Sequence, residues 1–300
     1  MLVIFIVLLG GKNGYKRNYS VNETKTMDKE FFVFAAIIFS GNLTNESILK
    51  NNIITFILFC LTSSTIYILN DIVDLEKDKK HPEKKNRPLP SGRVSKSTAI
   101  IMNIVILFTV LFCSYKFVDY KIMYIYLLYI VMNIFYCFKL KNVVILDVMV
   151  ITFGFVLRME SGSLATKVSV SPWLFLCTIL LSLFLALNKR KSEIIALKDK
   201  RGSHRKILEE YSVELIDNML TIVTPSILIS YCIYTFSSVQ SKRMMYTIPF
   251  VLYGIFRYQY LMNNHNLGGK PEDVFGKDKP FLVNMVLWVI SVVIIIYFKL

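Results

Sequence analysis

Runs of about twenty mostly apolar residues recur along most of this 300-residue chain, and no other feature limits its fold so tightly. A bilayer core of about 30 Å takes roughly 20 apolar residues as a helix, and in hydrocarbon every backbone polar group must be paired within the segment. Nine candidate spans follow, at 31–49, 52–70, 97–118, 120–138, 143–161, 172–188, 216–237, 245–262 and 281–298. The first is short and polar at its end. The apolar stretch 1–10 lacks the basic flank and small-residue cleavage site of a signal peptide. The expectation is an all-α polytopic membrane protein with about nine transmembrane helices around a central cavity. Composition agrees: the chain is 54% hydrophobic and 19% charged, whereas soluble domains carry about 25% charge.

Charge sets the orientation. A net charge of +14 would suit nucleic acid in a soluble protein, but between apolar spans it reads as basic cytoplasmic loops, and no nucleic-acid partner is expected. Leaving aside Arg158 and Arg257, which lie within spans, twenty-six lysines and arginines fall before the first span or after even-numbered ones, against seven on the opposite side. The N-terminus and the loops 71–96 and 189–215 are therefore expected in the cytoplasm. All five cysteines lie in apolar runs with no CxxC or Cys/His cluster, which indicates packed thiols rather than zinc ligands or disulfides.

The loop that starts "NDIVDLEKDKKHPEKKNRPLPSG" (70–92) carries the chemistry. At 100° per residue Asp71, Asp74 and Asp78 fall within about 60° of one another on a helix. Such a stripe repels itself unless a cation neutralises it. Mg²⁺ binds through one or two carboxylates together with substrate phosphate oxygens, so Asp71, Asp74 and Asp78 are the expected metal ligands for a diphosphate. His81, Lys84, Lys85 and Arg87 would hold the remaining phosphate charge. Pro88, Pro90 and Gly92 then turn the chain back toward the membrane.

This stretch resembles the first signature of the UbiA superfamily of intramembrane prenyltransferases, and the resemblance runs from about residue 31 to the C-terminus, with residues 1–30 a divergent segment. The family's second acidic motif is replaced by "LFLALNKRKSEIIAL" (183–197), where Lys189 and Arg190 are basic and Glu193 lies one turn on. A basic pair favours an additional anionic group. Together with "YSVELIDNML" (211–220), "TIPFVLYGIFRYQYLM" (247–262) and "GGKPEDVFGKDKPFLVNMVLW" (268–288), the segment resembles the decaprenyl-phosphate phosphoribosyltransferase branch. That resemblance implies transfer of phosphoribosyl from phosphoribosyl diphosphate (PRPP) to a polyprenyl phosphate, with Mg²⁺ as cofactor, in a bacterial inner membrane. It leaves homo-oligomerisation open. It implies that Asn70, Asp71, Asp74, Lys189 and Arg190 act on the donor and acceptor phosphates. The family's Arg-Pro and Trp before the first span are absent here, where "ETKTMDKEFFVFAA" stands instead.

Arg158 and Arg257 are costly within hydrocarbon, about 2.5–3.5 kcal/mol on insertion scales, and with Glu193 and Asp217 they are candidate substrate contacts. Asp147 and Asp217 are candidates either to pair with the two arginines or to line the cavity. Two other readings remain. One keeps the fold and moves a prenyl group from a prenyl diphosphate to an aromatic or quinone-precursor acceptor, which would call for acidic residues in place of "NKRKSE". The other is a transporter or lipid-binding protein, which the absence of an inverted repeat disfavours.

Overall fold

The computed structural model describes residues 29–80, 84–197, 207–237, 241–265, 274 and 277–298, and among them every regular element is helical. A 3₁₀ turn, Glu30–Phe34, runs into α1 (Ala35–Phe39). After a turn, Asn45 caps α2 (Glu46–Val73) by accepting the Ile48 N–H. With 28 residues, α2 is about 42 Å long at 1.5 Å per residue, well beyond the hydrocarbon core. Its last turns, carrying Asn70 and Asp71, therefore have length to spare at the interface. The helix breaks at Asp74 and resumes as α3 (Leu75–Lys80). Gly92 supplies a left-handed φ of 78° where the chain turns back.

Ser95 caps α4 (Lys96–Phe117) and Asp119 caps α5 (Tyr120–Phe138). Then come α6 (Leu146–Thr166), α7 (Pro172–Leu197), the single turn α8 (Ile207–Glu210) and α9 (Val213–Phe236). The last two are α10 (Ile248–His265) and α11 (Lys279–Tyr297), the latter capped by Asp278.

Among the described residues seven helices are long and apolar enough to cross a membrane: α2, α4, α5, α6, α7, α9 and α11. They coincide with seven of the nine expected spans. The first expected span divides. Residues 30–39 form a helical element that reaches only about 15 Å, and residues 46–49 belong to α2. The eighth becomes α10, whose Arg257, Gln259, Asn263 and Asn264 make it too polar to rank with the others.

The bundle is built around α6, which packs against α2, α5, α7 and the 30–39 element. Two-thirds of its spanning window is buried, against 17% for α4. Gly162 allows the closest approach, because a Cβ there would overlap the Val33 carbonyl. Asn52 ties the same point together, its Nδ2 donating to the carbonyls of Val33 (3.2 Å) and Gly162 (3.5 Å). One apolar core fills the space between α6 and α2, α4 and α5, and a second joins α6 to α7, α9, α10 and α11. On α4, Ile101, Ile104, Val105, Phe108 and Phe112 point away from both cores. A soluble protein would bury such a stripe; on a membrane helix it faces lipid.

Candidate active site

At the end of α2 the three aspartates of the 70–92 stretch are each held by a cation. Arg87, carried back by the chain after α3, donates from Nη1 to Asp71 Oδ1 (2.7 Å) and to Asp78 Oδ2 (3.3 Å). Lys84 Nζ lies 3.5 Å from Asp78 Oδ1. Asp74 is gripped by Lys141, whose Nζ is 2.8 Å from both carboxylate oxygens. Lys141 comes from the short α5–α6 connection, 67 residues away in sequence. Asn70 Oδ1 accepts the Cys137 thiol at 3.6 Å. Lys85 is exposed. His81 lies outside the described residues.

The other charged end, at the C-terminal part of α7, is internally neutralised. Arg190 donates from Nε to Asp147 Oδ2 (2.7 Å) and from Nη1 to Glu193 Oε2 (2.5 Å). Tyr211 donates its hydroxyl to Asp147 Oδ1 (2.7 Å) and accepts the Ile145 N–H (2.8 Å). Burial and the hydrogen bond to Asp147 push the Tyr211 phenol above its ordinary range. Lys191 Nζ reaches Asp217 Oδ1 (2.7 Å) on α9 and Asn263 Oδ1 (3.1 Å) on α10. The run "NKRK" thus anchors α7 to α6, α9 and α10. Arg190 itself is 2% exposed; Lys189, beside it, is partly buried.

Two expected contacts sit elsewhere. Arg158 is buried in the middle of the bundle, where it donates to both oxygens of Glu30 (2.7 and 2.9 Å), to the Gly154 carbonyl (2.8 Å) and to the Tyr129 hydroxyl (2.8 Å). Phe59, Tyr129 and Phe155 surround its guanidinium. Arg257 makes a two-point pair with Asp278 (3.1 and 2.7 Å), which also caps α11. Asp147 pairs with Arg190 and Asp217 with Lys191, so neither partners Arg158 or Arg257.

The donor set of the first motif suits Mg²⁺. Its hard carboxylate oxygens belong to Asp71 and Asp78, which meet through Arg87, and to Asp74, which turns to Lys141, and among the described residues no three His, Cys, Asp or Glu side chains are grouped so that they could by themselves hold a metal ion. An open set of carboxylates completed by phosphate oxygens and water is what Mg²⁺ prefers. Lys141 and Tyr211 do not stand out as site residues in the sequence, and Asp147 does so only as a candidate partner for Arg158 or Arg257 or as a cavity-lining residue. Lys141 stands in a short loop with no acidic neighbour, and Tyr211 and Asp147 meet only through the fold.

A model of the UbiA prenyltransferase family matches residues 31–285. The decaprenyl-phosphate phosphoribosyltransferase of Corynebacterium glutamicum is 28% identical over 278 residues, covering 90% of this chain and 83% of that protein. The enzyme of the same name from Mycolicibacterium smegmatis is 27% identical over 256 residues, covering 82% and 80%. A solved UbiA homolog from Archaeoglobus fulgidus, bound to DMAPP and Mg²⁺, superposes with a TM-score of 0.69 at 16% identity, covering 91% of this chain and 96% of that one, a likeness of fold.

Proposed function

Because the chain belongs to the UbiA prenyltransferase family and is an integral membrane transferase, we propose that it moves phosphoribosyl from PRPP to a polyprenyl phosphate at the cytoplasmic membrane face, releasing diphosphate. The observation that carries this reading is the carboxylate group at the end of α2, where Asp71, Asp74 and Asp78 are met by Arg87, Lys84 and Lys141. Curated relatives with the phosphoribosyltransferase name align over most of their length, which favours PRPP over a prenyl diphosphate. So does the replacement of a second acidic motif by "NKRKSE".

In this reaction the bond from ribose C1 to the diphosphate oxygen breaks and the diphosphate leaves with the electron pair. An oxygen of the lipid phosphate forms the new bond to C1. A phosphate monoester is already largely ionised at neutral pH, its second pKa being about 6, so no strong general base is required. Asp71, Asp74 and Asp78 would hold Mg²⁺, which when bound supplies charge neutralisation for the leaving diphosphate. Arg87, Lys84 and Lys141 add fixed positive charge where that negative charge develops. Asn70 donates its amide to a phosphate or ribose oxygen. Lys189 serves a phosphate, of the lipid or of ribose C5.

Membranes holding the protein are given radiolabelled PRPP and polyprenyl phosphate. Label is expected in the lipid fraction, and EDTA in excess is expected to abolish it. Consumption of geranyl diphosphate with an aromatic acceptor, with PRPP left untouched, would replace this reading by the prenyltransferase one.

A further inference from the structure

Of the cations that meet the carboxylates at the end of α2, Lys141 is the most firmly held. Its side chain is 12% exposed and that of its partner Asp74 is 19% exposed, whereas Lys77, 4.0 Å from the same carboxylate, lies in the open. The connection that carries Lys141 is fastened on both sides. Four residues before it, at the end of α5, the Cys137 thiol donates to Asn70 Oδ1. Asn70 stands one turn before Asp74, whose N–H donates to the Asn70 carbonyl (2.9 Å). Cys137 and Lys141 thus meet Asn70 and Asp74 as two successive rungs. Four residues after Lys141, the Ile145 N–H donates to the Tyr211 hydroxyl (2.8 Å). A largely buried stem and a pinned backbone hold the ammonium beside Asp74.

An ammonium fixed there acts oppositely on two possible occupants of the site. A bare divalent cation on Asp74 would sit beside a like charge, in partly desolvated surroundings where repulsion exceeds that in bulk water. A divalent cation that brings diphosphate with it is different. Diphosphate bears more negative charge than one divalent cation cancels, so the ammonium attracts the pair and can donate to its phosphate oxygens. Arg87, on Asp71 and Asp78, acts in the same sense.

Building on the reading of these carboxylates as a metal–diphosphate site, we propose that Lys141 couples the two ligands: it makes the aspartates take up metal together with diphosphate and resist the bare metal. Such coupling is reciprocal, each ligand raising the affinity for the other by the same factor. Metal then enters with the donor and leaves with the diphosphate product.

The test is equilibrium dialysis of the purified protein in detergent against radioactive Mn²⁺, alone and as its complex with inorganic diphosphate. The wild type is expected to bind the complex more tightly than the bare ion. Lys141→Met is expected to bind Mn²⁺ alone about tenfold more tightly than the wild type does, the scale of a unit charge facing a divalent one at ~5 Å even with the screening of water. The same variant is expected to bind manganese–diphosphate about tenfold more weakly, through the lost contact to phosphate. Lys141→Arg keeps the charge and should stay near the wild type in both. Lys77→Met removes an exposed charge near the same carboxylate and should change both far less. A merely structural defect would move the two affinities in one direction, so the opposite signs are the signature. Affinity for Mn²⁺ alone that falls or stays level in Lys141→Met, or an equal rise in Lys77→Met, overturns the inference. Inorganic diphosphate is the part PRPP shares with a prenyl diphosphate. A protein that shows the opposite signs but leaves PRPP unconsumed would therefore strike the phosphoribosyl reading and uphold this one.

Discussion

At the scale of single residues, two pairs of cations differ in kind. Arg158 and Arg190 are walled in by their own partners, at 4% and 2% exposure, and each spends its fixed donors on a buried carboxylate. Lys141 and Arg87 instead stand on the carboxylates proposed to meet the donor. Truncating Arg190 would leave Asp147 charged, buried and uncompensated, so Arg190→Ala is a test of folding before it is a test of catalysis. Lys141 allows a cleaner experiment. Lys141→Met keeps most of the aliphatic stem and removes only the ammonium that both Asp74 oxygens hold. Asp74, 19% exposed in its side chain, retains access to water and to Lys77 at 4.0 Å. A charge-assisted contact to a phosphate contributes about 1.5–3 kcal/mol, so kcat/KM for PRPP is expected to fall by about one to two decades. Thermal unfolding of the purified protein should change little. Unchanged turnover in Lys141→Met would remove Lys141 from the proposed mechanism.

At the scale of elements, the short 30–39 segment shows how a piece too short to span is kept in the bundle. Its carboxylate Glu30 is 1% exposed and meets Arg158 on α6 at two points. Removing one member of such a pair leaves an uncompensated buried charge, at a cost of about 3–5 kcal/mol, whereas replacing both by apolar residues of similar size is often neutral. Glu30→Met is therefore expected to lower the melting temperature in detergent sharply. Glu30→Met/Arg158→Met should recover most of the loss, since Ser63 and Tyr129 retain a hydrogen bond to each other. A double variant as unstable as the single one would show that Arg158 matters through its carbonyl and ring contacts instead. The same segment marks the limit of what the sequence discloses. Seven spans were legible because a run of about twenty apolar residues can satisfy its backbone in hydrocarbon as a helix and has the length to cross it, and those are local properties. The role of residues 30–39 depends on an arginine 128 positions away. The polar face of α10 depends on Asp278 and Lys191, contributed by its neighbours. The spacing of Asp71, Asp74 and Asp78 was read on one continuous helix, whereas the helix breaks at Asp74, and the cation opposite Asp74 was not legible because Lys141 lies on another loop.

At the scale of the whole molecule, the contacts fix which loops share an end of the bundle, independently of any charge count. Lys141 on Asp74 joins the α5–α6 connection to the end of α2. Tyr211 on Ile145 and Asp147 joins the segment before α9 to the same connection. Lys191 on Asn263 brings in the end of α10. The described ends of the four connections therefore lie together, as the positive-inside rule requires of loops on one side. The rule then proposes that this side is cytoplasmic, where a water-soluble phosphorylated donor is made. Ser91 sits exposed in the loop between α3 and α4, and Lys121 is exposed at the start of α5, across the membrane from it. A cysteine placed at Ser91 is expected to react with a membrane-impermeant maleimide only after cells are opened, and one placed at Lys121 to react in intact cells. The five native cysteines lie within the helices of the bundle, buried or half-buried, so the unsubstituted protein sets a low background. Labelling of the Ser91 variant in intact cells, with the Lys121 variant protected, would invert the orientation. It would also place Asp71, Asp74 and Asp78 on the side away from any cytoplasmic donor, and the phosphoribosyl reading would fall with it.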